Sequence, residues 1–148
     1  MWYFAYGSNM DKERMEERGV NFSERKHGFI KGWKLVFNKV ASENPIKGYA
    51  NIEKDDNDIV EGVLYQIEKD GLEILDKKEG VPNHYIKEKL EVWLENEGKV
   101  LAYVYIANKD KVKDGLKPSQ EYLNHLLKGC DLLSEKYCDK IKNIKTIE

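Results

Sequence analysis

Cysteine, arginine and long apolar runs are all scarce in this sequence, and each shortage excludes something. Among 148 residues there are 2 cysteines, Cys130 and Cys138. Their spacing lacks the C-x-x-C or Cys/His pattern of a zinc site, and two cysteines are too few for a disulfide framework, so both are expected as reduced, buried thiols. No apolar stretch approaches the roughly 18–20 residues of a membrane span, and the aromatic run after Met1 lacks the basic region of a signal peptide. A cytoplasmic protein with no membrane partner is the expectation. Arg14, Arg18 and Arg25 are the only arginines, so lysine carries the remaining positive charge. The 25 basic residues nearly cancel the 27 acidic ones, leaving a net charge of -2. That balance lacks the basic excess of a nucleic-acid footprint, so no nucleic-acid partner is expected. The hydrophobic fraction of 41% is enough for a packed core and argues against disorder. The length suits one compact unit, and 1–148 is read as a single domain.

Trp2 to Tyr6 is an aromatic run with strong strand preference, and it stops at the turn formers Gly7-Ser8-Asn9. Met10 to Arg18 follows as a short helix, with Asn9 or Asp11 available as its cap. His27 to Val40 alternates from Trp33 onward and reads as a strand, with a bulge at Gly32 and a turn at Asn44-Pro45. Gly48 to Ile52 and Ile59 to Ile67 are further strands, separated by an Asp/Asn-rich loop from Lys54 to Asp58. Asp70 to Lys78 carries Leu72, Ile74 and Leu75 at helical spacing. Tyr85 to Leu94 and Val100 to Ala107 flank the hairpin-like Glu95-Asn96-Glu97-Gly98, and the second of these strands, apolar on both faces, is expected between two neighbours. Ser119 caps a helix carrying Tyr122, Leu123, Leu126 and Leu127 that stops at Gly129, and Ser134 caps a last helix. Strands and helices do not alternate strictly and hairpin signals recur. The pattern therefore predicts an α+β domain built on a strongly curved sheet or small barrel.

Three features carry possible chemistry. A strand entering Tyr6-Gly7-Ser8-Asn9 before a helix can aim backbone N–H groups at one point, which makes an anion or oxyanion cradle. On these residues alone an ordinary strand-to-helix turn with Asn9 as a cap is the favoured reading. Glu79 stands at a helix end before Gly80, Pro82 and Asn83, where the negative pole of the helix disfavours an ionised carboxylate. With partial burial its pKa would rise toward the range of a general base; in isolation it reads as a solvated surface residue beside Lys77 and Lys78. Tyr85, Tyr103, Tyr105 and Tyr122 are amphipathic candidates for a pocket wall, or plain sheet and core residues. His27, His84 and His125 show no metal-ligand spacing.

In this order, Tyr3-Phe4-Ala5-Tyr6-Gly7-Ser8-Asn9-Met10, Leu75-Asp76 leading to Glu79-Gly80-Val81, and Lys117-Pro118-Ser119-Gln120-Glu121-Tyr122-Leu123 resemble the γ-glutamylcyclotransferase family, including its γ-glutamylamine cyclotransferase-like members. The resemblance implies a mixed β-barrel with flanking helices and a transferase or lyase type of reaction. In it, the α-amine of a γ-glutamyl group attacks its own side-chain amide and yields 5-oxoproline with a free amine or amino acid. Tyr6, Gly7, Ser8 and Asn9 would hold the γ-glutamyl moiety, Glu79 would act as general acid/base, and Tyr85, Tyr105 and Tyr122 match aromatic positions near the site. The implied partner is a small-molecule γ-glutamyl substrate, with neither a metal nor an organic cofactor, in a protein that forms a homodimer. A non-catalytic small-molecule binding domain on the same fold is the alternative. Asn44 to Gly48, Lys54 to Asp58 and Asn108 to Lys117 are the candidate loops for the pocket mouth.

Overall fold

A computed structural model describes residues 1–96 and 98–148. Five strands close into a mixed barrel: β1 (Trp2–Ala5), β2 (Phe22–Ala41), β3 (Asn44–Ile67), β4 (Tyr85–Leu94) and β5 (Gly98–Ala107), in the order β1-β3-β2-β4-β5. All neighbours are antiparallel except β1 and β5, whose parallel pairing closes the ring. Four helices flank it: α1 (Lys12–Glu17), α2 (Lys69–Lys78), α3 (Gln120–Leu127) and α4 (Glu135–Lys142). The α+β barrel foreseen in the sequence is thus present, and β5, apolar on both faces, lies between β4 and β1.

Three differences from the sequence reading concern the long hairpin. Its turn lies at Ser42 and Glu43, one step before the expected Asn44-Pro45, because Asn44, the first residue of β3, already pairs with Ala41. The strand expected from His27 begins at Phe22, because the far end of β3 reaches back to pair with it from Phe22 opposite Ile67. The loop expected at Lys54 to Asp58 is instead a bulge within one continuous β3. Trp33 faces Lys54 and Lys31 faces Ile59, so Gly32 alone stands across from Asp55 to Asp58. Gly32 adopts φ 83°, a conformation glycine reaches without a Cβ clash. The turn read at Glu95 to Gly98 includes Glu97, which lies outside the described residues.

The cysteines also require correction. Cys130 and Cys138 form a disulfide, not two free thiols. The connection from α3 to α4 folds back and brings their Cα atoms to 5.8 Å, within bridging range, and linear spacing does not register such a reversal.

Alternation along the strands divides the core in two. Phe4, Ile30, Val60, Leu64, Val92 and Val104 belong to a cluster that draws on all five strands and no helix, which is the barrel interior. Tyr3, Ala5, Val63, Tyr65 and Ile67 point the other way and pack with Leu75, Leu123, Leu126 and Ile141 beneath the helices. Complete burial of a leucine such as Leu75 contributes about 1.5–3 kcal/mol and fixes α2 on the barrel. Among the described residues no helix is long and apolar enough to cross a membrane.

Candidate active site

The segment after β1 is turned tightly and then clamped. Met10 N–H donates to the Gly7 carbonyl at 3.0 Å and Asp11 N–H to that of Ser8 at 3.2 Å, which winds Ser8–Met10 into a single 3-10 turn. Asp11, one of the two caps read from sequence, accepts from Glu13 N–H at 3.0 Å and starts α1. Its second carboxylate oxygen lies 2.9 Å from His125 Nδ1, tying α1 to α3. Tyr65 donates to the Asn9 carbonyl at 2.7 Å and Arg25 to that of Met10 at 2.8 Å. Gly7 has little room: a Cβ there would sit 3.1 Å from Ala50 Cβ and 3.3 Å from the Tyr122 hydroxyl.

Glu79 reaches the same place from α2. Its N–H donates to the carbonyl of buried Leu75 at 2.8 Å and ends the helix. Gly80 follows at φ 66°, where a Cβ would come within 2.7 Å of the His84 ring, so glycine is required for both the turn and the packing. The Glu79 side chain, 21% exposed, opens on a cavity of about 390 Å³. Its Oε1 accepts from Asn9 Nδ2 at 3.3 Å and lies 3.7 Å from Arg18 Nη1. Asn9 is itself held on both sides, donating to Tyr3 at 2.9 Å and accepting from Arg18 at 3.0 Å. Burial raises the Glu79 pKa above the ordinary carboxylate value, and Arg18, Arg14, Lys39 and Asn9 pull against that without reversing it.

Tyr6, Gly7, Ser8, Asn9, Glu79, Tyr85, Tyr105 and Tyr122 all line this one cavity. Three of the tyrosines commit their hydroxyl protons to the protein: Tyr6 to the Tyr105 carbonyl at 2.5 Å, Tyr85 to the Ala50 carbonyl at 2.9 Å, and Tyr105 to Asp76 at 2.7 Å. They offer ring faces and lone pairs instead. Tyr122 differs, because its oxygen accepts from Ala50 N–H at 3.0 Å and also meets the Ser8 side chain, which ties it to the Gly7–Asn9 turn. Burial pushes its pKa up to about 12 and raises those of Tyr6, Tyr85 and Tyr105, so all four remain neutral phenols.

The cavity also contains residues that sequence reading passed over, chiefly Arg14, Arg18, Lys39 and His84. A signal for the arginines existed: two of the three in the chain stand four apart, Arg14 on the helix that follows the Gly7–Asn9 turn and Arg18 at its C-cap. For Lys39 and His84 there was none. The mouth differs from expectation too. Ser42, Glu43, Tyr49, Lys77 and Lys78 line the cavity, and none of the three proposed loop segments does. A carboxylate kept basic, neutral phenols and several cations around one small cavity suit proton transfer on a compact, carboxylate-bearing ligand.

Residues 59–141 match the model of the AIG2-like family. No curated protein matches the chain. Among solved structures, one described as a γ-glutamyl cyclotransferase superposes with a TM-score of 0.87 at 25% identity, covering 100% of this chain and 89% of that one. An uncharacterized protein from Homo sapiens gives 0.87 at 26% identity over 99% of this chain and 89% of its own. A yeast γ-glutamyl cyclotransferase described as specific to glutathione, 15% identical, gives 0.64 over 95% of this chain and 93% of its own, a likeness of fold.

Proposed function

The chain belongs to the AIG2-like family, and on that premise we propose that it is a γ-glutamylcyclotransferase-like enzyme that cyclises γ-glutamyl groups to 5-oxoproline and releases an amino acid or amine. One observation carries the reading: the Glu79 carboxylate is withdrawn from water into the cavity beside the Gly7–Asn9 turn, with only long contacts to Asn9 and Arg18. A carboxylate so placed is a base without a dedicated partner.

In the reaction, Glu79 takes a proton from the substrate α-ammonium, because a protonated amine has no lone pair for attack. The freed nitrogen adds to the side-chain amide carbonyl and closes a five-membered ring. The tetrahedral intermediate then collapses: the bond to the leaving nitrogen breaks as the Glu79 carboxyl returns its proton to that nitrogen, and the ring nitrogen passes its second proton, through the regenerated Glu79 carboxylate, to the released amine, which leaves as an ammonium. The ring closure needs no external nucleophile, so holding the substrate folded is itself catalytic; good alignment in intramolecular reactions is worth up to about 7–11 kcal/mol. Ser8 and Asn9 begin a 3-10 turn, whose first amides lack intrahelical acceptors and suit the substrate carboxylate or the developing oxyanion. Gly7 lets the ligand approach the backbone closely.

Incubation with a panel of γ-glutamyl dipeptides and γ-glutamylamines, followed by mass spectrometry of released 5-oxoproline, tests the proposal with Glu79→Gln alongside. Product from the wild type and not from the variant is expected. No product from any substrate, with thermal shifts still induced by the panel, would instead establish a binding domain on this fold.

A further inference from the structure

Lys39 is an anomaly in the cavity wall. It lies on β2 where the register against β3 shifts, and it is only 4% exposed although it is a lysine. Its ammonium donates to the Val40 carbonyl at 3.0 Å and sits 3.0 Å from His84 Nδ1. An ammonium has three N–H bonds, so the third has no acceptor among the described residues. His84 Nδ1 can only accept from that donor and therefore carries no proton; the nearby lysine lowers the His84 pKa, in keeping with a neutral ring. Lys39 pairs with no carboxylate among the described residues, and burial lowers its own pKa. Arg14 is in a similar state on α1: its Nε is buried without a partner.

The remaining charges around the cavity are either paired or, as with Lys77 and Lys78, exposed to solvent. Arg18 faces Glu79 at 3.7 Å, and Glu43 faces Lys47 at 3.2 Å and accepts from Tyr49 at 2.6 Å. Arg14 and Lys39 are left as two withdrawn cations that feel Glu79 across the cavity but have no carboxylate within ion-pair distance among the described residues, entering from different elements. Such cations are costly to bury alone and are relieved by a ligand carboxylate through charge-assisted hydrogen bonds. A γ-glutamyl α-amino acid carries one ammonium and two carboxylates, matching Glu79 and the two cations. A γ-glutamylamine carries only one carboxylate and leaves a cation unmatched.

Building on the cyclotransferase reading above, we propose that Lys39, braced by His84, is the specificity-determining residue that binds a carboxylate on the departing amine. Arg14, on the helix that follows the Gly7–Asn9 turn, takes the carboxylate of the γ-glutamyl half. The chain accordingly selects γ-glutamyl α-amino acids over γ-glutamylamines.

The test compares γ-glutamyl-alanine with γ-glutamyl-ethylamine, which differ only in that carboxylate. In the wild type kcat/KM favours the dipeptide by about tenfold to a hundredfold, the range of a hydrogen-bonded charge. In Lys39→Met the ratio falls toward one, and Lys39→Arg retains most of it. Because it is a ratio, partial unfolding of a variant does not alter it. A wild-type ratio near one, or a wild-type ratio preserved in Lys39→Met, overturns the proposal. If neither compound yields 5-oxoproline, the cyclotransferase reading fails, and calorimetry with the same two compounds decides the subsite on its own. Tighter dipeptide binding that is lost in Lys39→Met supports it, and equal binding of the two overturns it.

Discussion

Glu61 and Glu79 are both glutamates drawn away from water, one on β3 beneath α4 and the other at the end of α2, and their surroundings are opposite. Glu61 accepts from Ser134 N–H at 2.9 Å and from the Ser134 hydroxyl at 2.6 Å, with His27 Nε2 at 3.0 Å. Burial pushes its pKa up, but Ser134 and His27 outweigh that and hold it below the ordinary value. Glu79 has one long hydrogen bond at 3.3 Å and an arginine at 3.7 Å, and burial prevails. A carboxylate with its lone pairs filled is a strut between strand and helix; one left underfilled keeps its basicity for a ligand.

The largest expected effect separates the two roles. Glu79→Gln lowers kcat by about 10²–10⁴, the usual contribution of a general acid or base, while substrate binding is largely retained. Steady-state kinetics checks this, and substantial retained kcat would remove Glu79 from the mechanism. Glu61→Ala acts on folding instead. It strands the Ser134 donors and costs about 1–3 kcal/mol, read as a lower urea midpoint, with kcat per folded molecule unaltered.

Stability against pH sharpens the contrast. Glu61 has a lowered folded pKa, so its contribution is present above the unfolded value of about 4.5 and is lost as pH falls through the folded one. Glu61→Gln is therefore most destabilised near neutrality, and the gap narrows in acid. Glu79 has a raised folded pKa, so ionising it costs stability as pH climbs from about 4.5 through the folded value. Glu79→Gln is expected to be more stable than the wild type at neutral pH, and indistinguishable from it below about 4. Urea midpoints between these limits check both signs, and parallel profiles would dissolve the contrast. The smallest effect is at Tyr122: replacement by phenylalanine removes a hydroxyl that lines the cavity beside Ser8 and raises KM by about fivefold.

Much of this was legible in local chemistry. Ser119 and Ser134 cap their helices by accepting from Tyr122 N–H at 3.1 Å and Tyr137 N–H at 3.2 Å, as their positions before apolar-periodic segments predict. Tyr85–Leu94 was readable as a strand from its own residues. The bulge at Asp55–Asp58 was not, because its polar residues carry loop propensity while β2 supplies the pairing on either side. Glu79 was readable as a helix-terminal residue, but its withdrawal from water came from the packing of α2 against the barrel. Lys39 and His84 gave no signal, since 45 residues separate partners that meet at 3.0 Å.

The sequence by itself determined the α+β composition, the helix caps, the turn at Gly7–Asn9 and the family motifs, because each depends on residues within a few positions of one another. Closure of the barrel, the Cys130–Cys138 bridge and the basicity of Glu79 were decided only by tertiary structure. These depend on which distant groups exclude water from a site and which of them fill its hydrogen bonds, and neither quantity exists until the chain has folded.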